Sequence, residues 1–359
     1  MSFIDNIVNS VKAGSGSVVG VDIGSSSMKV IELKENKGVI TLATYGEVQL
    51  GPYMGKPVGD SVKLDSKQEQ EALVDVLRES AVKAKDAVFA MPLSSSFVTN
   101  VSIDADADAD LSALVRIEAR KVIPASLSEV TLDWAEVEVT EKEAREEVHR
   151  RNILIASIQN LALERFNVLM QFAGLNKPPT EIECFSAIRG LYNSDESDVA
   201  IIDVGAVSTK LYIARKGLLM RMYRIRAGGA PATEKIAESL NVGFDEAETL
   251  KVQANRNADN FASLKKAHDT SYERAFREFN QVMKEYEQKT GLSIGTIYLS
   301  GGGAMFPGID SGLRSVTEKD VVLANPFSKV AYPAFMEDTM YEIGPSFTVA
   351  LGAALRAFE

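Results

Sequence analysis

Two short segments constrain this chain more than any other feature. Val18-Val19-Gly20-Val21-Asp22-Ile23-Gly24-Ser25-Ser26-Ser27-Met28-Lys29 is an apolar strand that ends in Asp-x-Gly and a polar turn. Val199-Ala200-Ile201-Ile202-Asp203-Val204-Gly205-Ala206-Val207-Ser208-Thr209 repeats the design about a lobe further on. A single Asp-x-Gly is weak evidence, because such turns are common in hairpins. Two of them, each behind a buried strand, call for two similar halves with the same chemistry at their strand ends. An aspartate there can hold a metal's water ligands, and the glycine (Gly24, Gly205) lets the backbone aim its N–H groups at phosphate oxygens. Ser25, Ser26, Ser27, Ser208 and Thr209 add hydroxyl donors, and Lys29 adds a compact positive charge.

The chain is long enough for two lobes. At 359 residues it exceeds one ordinary core, and 45% hydrophobic with 25% charged residues is an ordinary globular balance. A net charge of −11 gives nonspecific nucleic-acid binding no electrostatic driver. One cysteine, Cys184, excludes an internal disulfide, and with only His149 and His268 a histidine metal site is not expected. No window reaches the roughly 20 apolar residues that cross a bilayer, and the start lacks a signal peptide's basic and apolar regions. A cytoplasmic protein with no transmembrane anchor of its own is the expectation.

Residues 1–17 place Phe3, Ile4, Ile7, Val8 and Val11 at helical spacing before a Gly/Ser joint. Strands are expected over Val18–Val21, Met28–Leu33, Val39–Tyr45 and Glu47–Leu50, with a helix over Lys67–Ala84. From Ala87 to Ala173 the pattern is strand, strand, helix, strand, strand, helix, which suggests an α+β subdomain inserted into the first lobe (18–86 plus 174–197). The acidic run Asp104–Asp110 inside it lacks the glycine turn and distal glutamate of a calcium loop. The second lobe is expected over 198–346 with a helical subdomain near 228–292, in which Thr270 and Glu273 stand at capping-box spacing. Residues 347–359 form a last helix.

Two further elements bear on function. Ile297-Tyr298-Leu299-Ser300 leads into Gly301-Gly302-Gly303, which strips side chains from a surface that something flat can approach. Gly228-Gly229 precedes a helix with Glu248 and Lys251 on one face, either an exposed ion pair or a carboxylate for ribose hydroxyls beside a lysine covering a base.

In this order and spacing the elements resemble the actin-like ATPase superfamily: two phosphate loops and an adenosine loop in two α/β lobes around a nucleotide cleft. Lys29 stands where that superfamily places a phosphate-contacting lysine. The helices Ile182–Tyr192 and Phe347–Ala357 would cross between lobes, with Ser186/Gly190 and Gly352/Ala353 as small-residue faces. A narrower resemblance, to the type IV pilus assembly protein PilM family, covers nearly the whole chain. It rests on Gly20–Lys29, Ala87 to Pro92, Glu118-Ala119 with Ile123-Pro124, Leu132-Asp133-Trp134, Glu246–Lys251, Ser300–Ala304 and Asn325–Phe327.

The resemblance implies ATP with Mg2+, held through water by Asp22 and Asp203, in a platform of a type IV pilus or a related type II secretion system. It further implies a PilN-like bitopic membrane protein as partner, through its cytoplasmic N-terminal tail. That tail would lie in a groove between the first lobe and the insertion, edged by Phe97–Ile103 and Leu111–Val122. Other platform proteins and weak self-association are further expectations. Glu183 is the candidate to orient water if ATP is hydrolysed slowly; the simpler role is to cap its helix. Ala206-Val207 replace the glycine of faster enzymes, so this loop is expected to embrace a γ-phosphate less closely. Two other readings share the fold. A sugar kinase needs a catalytic aspartate in a polar cleft, and an FtsA-like filament-forming cell-division protein carries a membrane helix beyond the last crossing helix, for which Leu351–Glu359 leave no expected room.

Overall fold

The computed structural model describes residues 16–106, 109–138, 140, 142, 150–176, 180–193 and 197–359. The amphipathic start, and Ala107 and Asp108 of the acidic run, lie outside the described residues. In chain order the first part contains β1 (Ser17–Ile23), β2 (Ser27–Asn36), β3 (Val39–Gln49), α1 (Ser66–Glu79), β4 (Asp86–Met91), β5 (Ser96–Asp104) and α2 (Leu111–Val122). There follow β6 (Val130–Val137), β7 (Arg150–Gln159), α3 (Asn160–Phe172), β8 (Glu181–Ile182), α4 (Glu183–Leu191), β9 (Val199–Val204), β10 (Thr209–Arg215) and β11 (Leu218–Ile225). The last part holds α5 (Gly229–Leu240), α6 (Phe244–Val252), α7 (Phe261–Thr290), β12 (Thr296–Ser300), α8 (Ile309–Thr317), β13 (Asp320–Leu323) and α9 (Glu337–Leu355).

Two sheets share one design. Their orders are β3-β2-β1-β4-β8 and β11-β10-β9-β12-β13. In each, a hairpin strand pairs antiparallel on one side and a parallel strand on the other: β1 with β2 and β4, β9 with β10 and β12. The central strands are apolar because both faces are covered, with Val18, Val19 and Val21 matched by Val199, Ala200, Ile201 and Ile202 in the core. Each sheet ends in a crossing helix, α4 or α9, and these two touch backbone to backbone. A Cβ on Gly352 would overlap the Ser186 carbonyl, and one on Gly190 would lie 2.8 Å from the Thr348 carbonyl. The small-residue faces therefore allow the close crossing.

A third sheet, β5-β7-β6, forms the insertion. Phe97, Val101, Ile103, Ile153 and Ile155 of one face pack with Val115 and Ala119 of α2. Val98, Leu154, Ala156 and Ile158, of opposite parity, join the main core. The three strands and α2 occupy less than the expected 87–173. β4 is parallel to β1 in the first sheet, and α3 lies on the body, where Phe166 meets Phe89 edge-on at 5.8 Å and Arg165 pairs with Glu69 of α1.

Two local expectations also fail. β3 is one strand, because Gly46 keeps the ladder as the partner of Val30. The long helix α7 starts at Phe261, so Thr270 is internal, donates to the Lys266 carbonyl at 2.8 Å, and caps nothing. The buried stripe through Leu264, Ala267 and His268 continues the helix upstream of the expected start.

Candidate functional site

Both Asp-x-Gly turns are hairpins of the same register. Asp22 lies opposite Lys29 across β1 and β2, and Asp203 opposite Lys210 across β9 and β10. The turns close alike, with Gly24 N donating to Ser27 O at 2.9 Å and Gly205 N to Ser208 O at 3.2 Å. Lys210 is a candidate site residue absent from the sequence-based expectations. Its signal was available: Asp203 and Lys210 repeat the spacing of Asp22 and Lys29.

Side chains from both sheets and from α4 form one charged cluster. Lys210 Nζ lies 2.8 Å from Glu183 Oε2 and 3.0 Å from Asp203 Oδ2, all three nearly buried. Burial opposes the Lys210 charge, but Asp203 and Glu183 raise its pKa overall. The Asp22 carboxyl is pushed up to about 6, first by burial and then by Glu183 and Asp203, against the pull of Lys29 and Lys210. Asp203, Lys210, Glu183 and the Leu93 N–H just beyond β4 form a bonded chain from the second sheet to the first, so the two turns lie at one site. Glu183 stands in the first turn of α4, where its charge suits the helix N-terminus, with Ile182 as the N-cap residue; its Oε1 accepts the Leu93 N–H at 2.8 Å. Beneath the cluster lies Tyr212, whose buried hydroxyl has no hydrogen-bond partner and whose pKa is raised by burial, then by Glu183 and Asp203.

Lys29 is held differently. Its ammonium donates to Ser27 Oγ at 2.6 Å and pairs with Glu47 of β3 at 3.1 Å. Ser25 and Ser26 use their carbonyls to accept from Val62 N and Leu50 N. Ser208 and Thr209 do not join the cluster. Strand alternation sends Thr209 to the face opposite Lys210, where its hydroxyl donates to the Ala227 carbonyl, and Ser208 Oγ accepts from Arg224.

The glycine ribbon forms a further wall. Gly301 has φ +85°, and a Cβ on it would lie 2.5 Å from Asp203 Oδ1, so the ribbon lies against the carboxylate. A Cβ on Gly303 would overlap the Val204 side chain, whereas one on Gly302 would meet nothing within 4 Å. Gly228 packs on the carbonyl of Ala206, and the Gly229 N–H donates to the Gly205 carbonyl at 3.0 Å, docking α5 on the second turn. Glu248 and Lys251 are not an exposed pair. Lys251 Nζ is 2.6 Å from Glu248 Oε2 and 2.7 Å from Thr233 Oγ1, and both side chains are nearly buried. Burial lowers the Lys251 pKa in spite of Glu248. Gly59, in the first-lobe loop after β3, lies against the Glu248 carboxylate and closes the crevice on that side.

A crevice between two like sheets, edged by paired aspartate turns and a glycine ribbon, can be compared with known proteins. The model of the type IV pilus assembly protein PilM family matches residues 20–358. The solved PilM-PilN type IV pilus biogenesis complex contains a chain similar to this one at TM-score 0.78 and 23% identity, covering 95% of this chain and 98% of that one. The ethanolamine utilization protein EutJ from Carboxydothermus hydrogenoformans is similar at TM-score 0.58 and 16% identity, covering 96% and 92%. MreB5 of Spiroplasma citri bound to AMPPNP follows at TM-score 0.53 and 12% identity, covering 95% of each chain. At these identities the solved structures establish the fold, which is the expected actin-like one. No helix among the described residues is long and apolar enough to cross a membrane. The family match spans nearly the whole sequence, and the chain belongs to the type IV pilus assembly protein PilM family.

Proposed function

We propose that this chain binds ATP with Mg2+ between its two lobes, and that lobe closure sets its affinity for the cytoplasmic N-terminal tail of a PilN-like bitopic membrane protein. The carrying observation is the convergence of Asp22 and Asp203, from two like hairpins, on one crevice walled by Gly301. The residues present fit a nucleotide. The open side of Gly302 leaves room for a flat group, and the partnerless Tyr212 hydroxyl leaves a polar position at the floor. No group of three His, Cys, Asp or Glu among the described residues could hold a metal directly, so Asp22 and Asp203 would hold Mg2+ through water. When bound, Mg2+ supplies neutralisation of phosphate charge. The N–H groups of the turns at Gly24 and Gly205 and the ammonium of Lys29 orient the phosphates, with Ser25 and Ser26 as hydroxyl donors. Glu248 takes the ribose hydroxyls, the Lys251 stem covers the base, and Gly228 and Gly229 bring α5 close to it. MreB5, of the same fold, was solved with an ATP analogue.

We place the partner groove along the Phe97–Ile103 edge expected for it, but at the seam of the insertion with the second lobe instead of the first. Asn100 of β5 donates to the Leu219 and Met220 carbonyls of β11 at 3.2 and 2.5 Å, joining the insertion to the second lobe. Its Oδ1 and the Ser96 hydroxyl are buried on the same strand without partners. Those two atoms can receive backbone N–H groups of an extended peptide. Because β11 pairs with β10, which carries Lys210, closure at the nucleotide can reach this seam. The protein then works in the cytoplasm, peripheral to the inner membrane through its partner.

Calorimetry with Mg-ATP tests the first half: saturable binding is expected, and absence of heat and of thermal stabilisation rejects it. Gly302→Ala should change stability by less than about 0.5 kcal/mol yet weaken ATP binding about tenfold or more, because the added Cβ meets no protein atom within 4 Å. Hydrogen exchange with a partner-tail peptide tests the second half. Protection over β5 and β11 is expected, and none there rejects the groove.

A further inference from the structure

The pairing of Lys210 has a consequence for the proposed nucleotide site. Hydrolysis of ATP forms a bond from the oxygen of water to the γ-phosphorus and breaks the bond from that phosphorus to the bridging oxygen. ADP leaves with the bond's electron pair, the products being ADP, phosphate and a proton. The water needs an acceptor that points it at phosphorus and takes that proton. Among the carboxylates of the cluster, Glu183 alone sits on a crossing helix between the lobes, above the partnerless Tyr212 hydroxyl.

We infer that Lys210 is a positioning residue that silences Glu183 and keeps this protein from turning over the ATP that holds its lobes together. Both Glu183 oxygens already hold protein donors, the Leu93 N–H on Oε1 and the Lys210 ammonium on Oε2, each at 2.8 Å. A proton arriving on Glu183 would break the charge-assisted bond to Lys210 in a nearly dry site. Lys210 also grips Asp203 at 3.0 Å, so it cannot swing aside without uncovering a second nearly buried carboxylate. Lys29, at the equivalent place in the first hairpin, cannot substitute, because Glu47 and Ser27 hold it on its own sheet. The result is a cleft built to bind and close rather than to bind and fire.

The inference rests on the ATP reading, and its test keeps the two apart. Full-length wild type, Lys210→Gln, Lys210→Arg, Glu183→Gln and the Lys210→Gln/Glu183→Gln double variant are compared for Mg-ATP affinity by calorimetry and for single-turnover hydrolysis between pH 5 and 9. Lys210→Gln should bind ATP within about tenfold of wild type and hydrolyse it roughly tenfold faster or more. Lys210→Arg should restore the slow rate, and the double variant should lose the gain.

If Lys210→Gln does not fold, wild type still decides: sustained multiple turnover of Mg-ATP means that Glu183 is not silenced and overturns the inference. Normal ATP binding with no faster turnover in folded Lys210→Gln overturns it too, while leaving the ATP reading intact. Wild type that binds no ATP overturns both.

Discussion

The two hairpins share a spacing and a register and differ in who neutralises whom. In the second, Lys210 returns to its own Asp203 and to Glu183, so every charge in the group has a partner close by. In the first, Lys29 turns toward Glu47 across its own sheet, and Asp22, pushed up to about 6, is left short of positive charge. A repeated motif has thus become an electrostatic asymmetry. The second half carries an internal cation, and the first carries a carboxyl that gains from an added one. That is the arrangement expected of a cleft whose metal or phosphate partner completes one side only.

The largest effect that would break this comparison is removal of the internal cation. Lys210→Met leaves Asp203 and Glu183 nearly buried and unpaired, and breaking such a pair costs about 3–5 kcal/mol. Urea unfolding at pH 7 measures it. A loss below about 1 kcal/mol would mean that solvent reaches these carboxylates and that the two hairpins are electrically alike after all.

Next comes Asp22, for which the sign is opposite. Its folded pKa of about 6 exceeds its ordinary value of 3.8, so the folded chain holds a proton that the unfolded chain releases first. Its contribution therefore declines as pH rises from about 4 to about 6 and is fully lost above, a penalty of at most about 3 kcal/mol at neutrality. Asp22→Asn should remove that decline, raise unliganded stability at pH 7 by about 1–3 kcal/mol, and weaken Mg-ATP binding. Asp203→Asn should lower stability instead, since it takes a partner from Lys210. Melting temperatures from pH 4 to 8 separate the two, and parallel curves would erase the asymmetry.

Much of this was legible before any coordinates. The paired turns, the glycine ribbon and the small faces of the crossing helices are local patterns, and local patterns survive folding. The edges of the insertion were not legible, because the run Ala87–Met91 is buried in the first sheet but would look the same in any other. Thr209 was miscast because a hydroxyl beside a turn reads as a donor until strand alternation turns it away. Lys210 stands one residue beyond the Val199–Thr209 repeat, where its spacing from Asp203 matches that of Lys29 from Asp22. The orphan atoms of Ser96, Asn100 and Tyr212 had no signal at all, since an unsatisfied group exists only once its neighbours are placed.

The smallest effect sharpens the comparison from the other side. Lys29→Met removes the partner of Glu47, but that carboxylate keeps a third of its surface in water and also accepts from Gln49 at 3.3 Å. Solvent can take over, so the cost should be about 1 kcal/mol or less. Burial raises the Glu47 pKa, yet Lys29 and Ser27 hold it below its ordinary 4.5. A carboxyl with a depressed folded pKa adds stability above its unfolded value, and that part is lost as pH falls from about 4.5 through the folded value. The variant should lack this acid limb, while Asp22, no longer held down by Lys29, keeps its proton to higher pH than in wild type. If Lys29→Met instead costs as much as Lys210→Met, Lys29 is as needed as its equally buried counterpart, and the division into an internally neutralised half and a ligand-completed half fails.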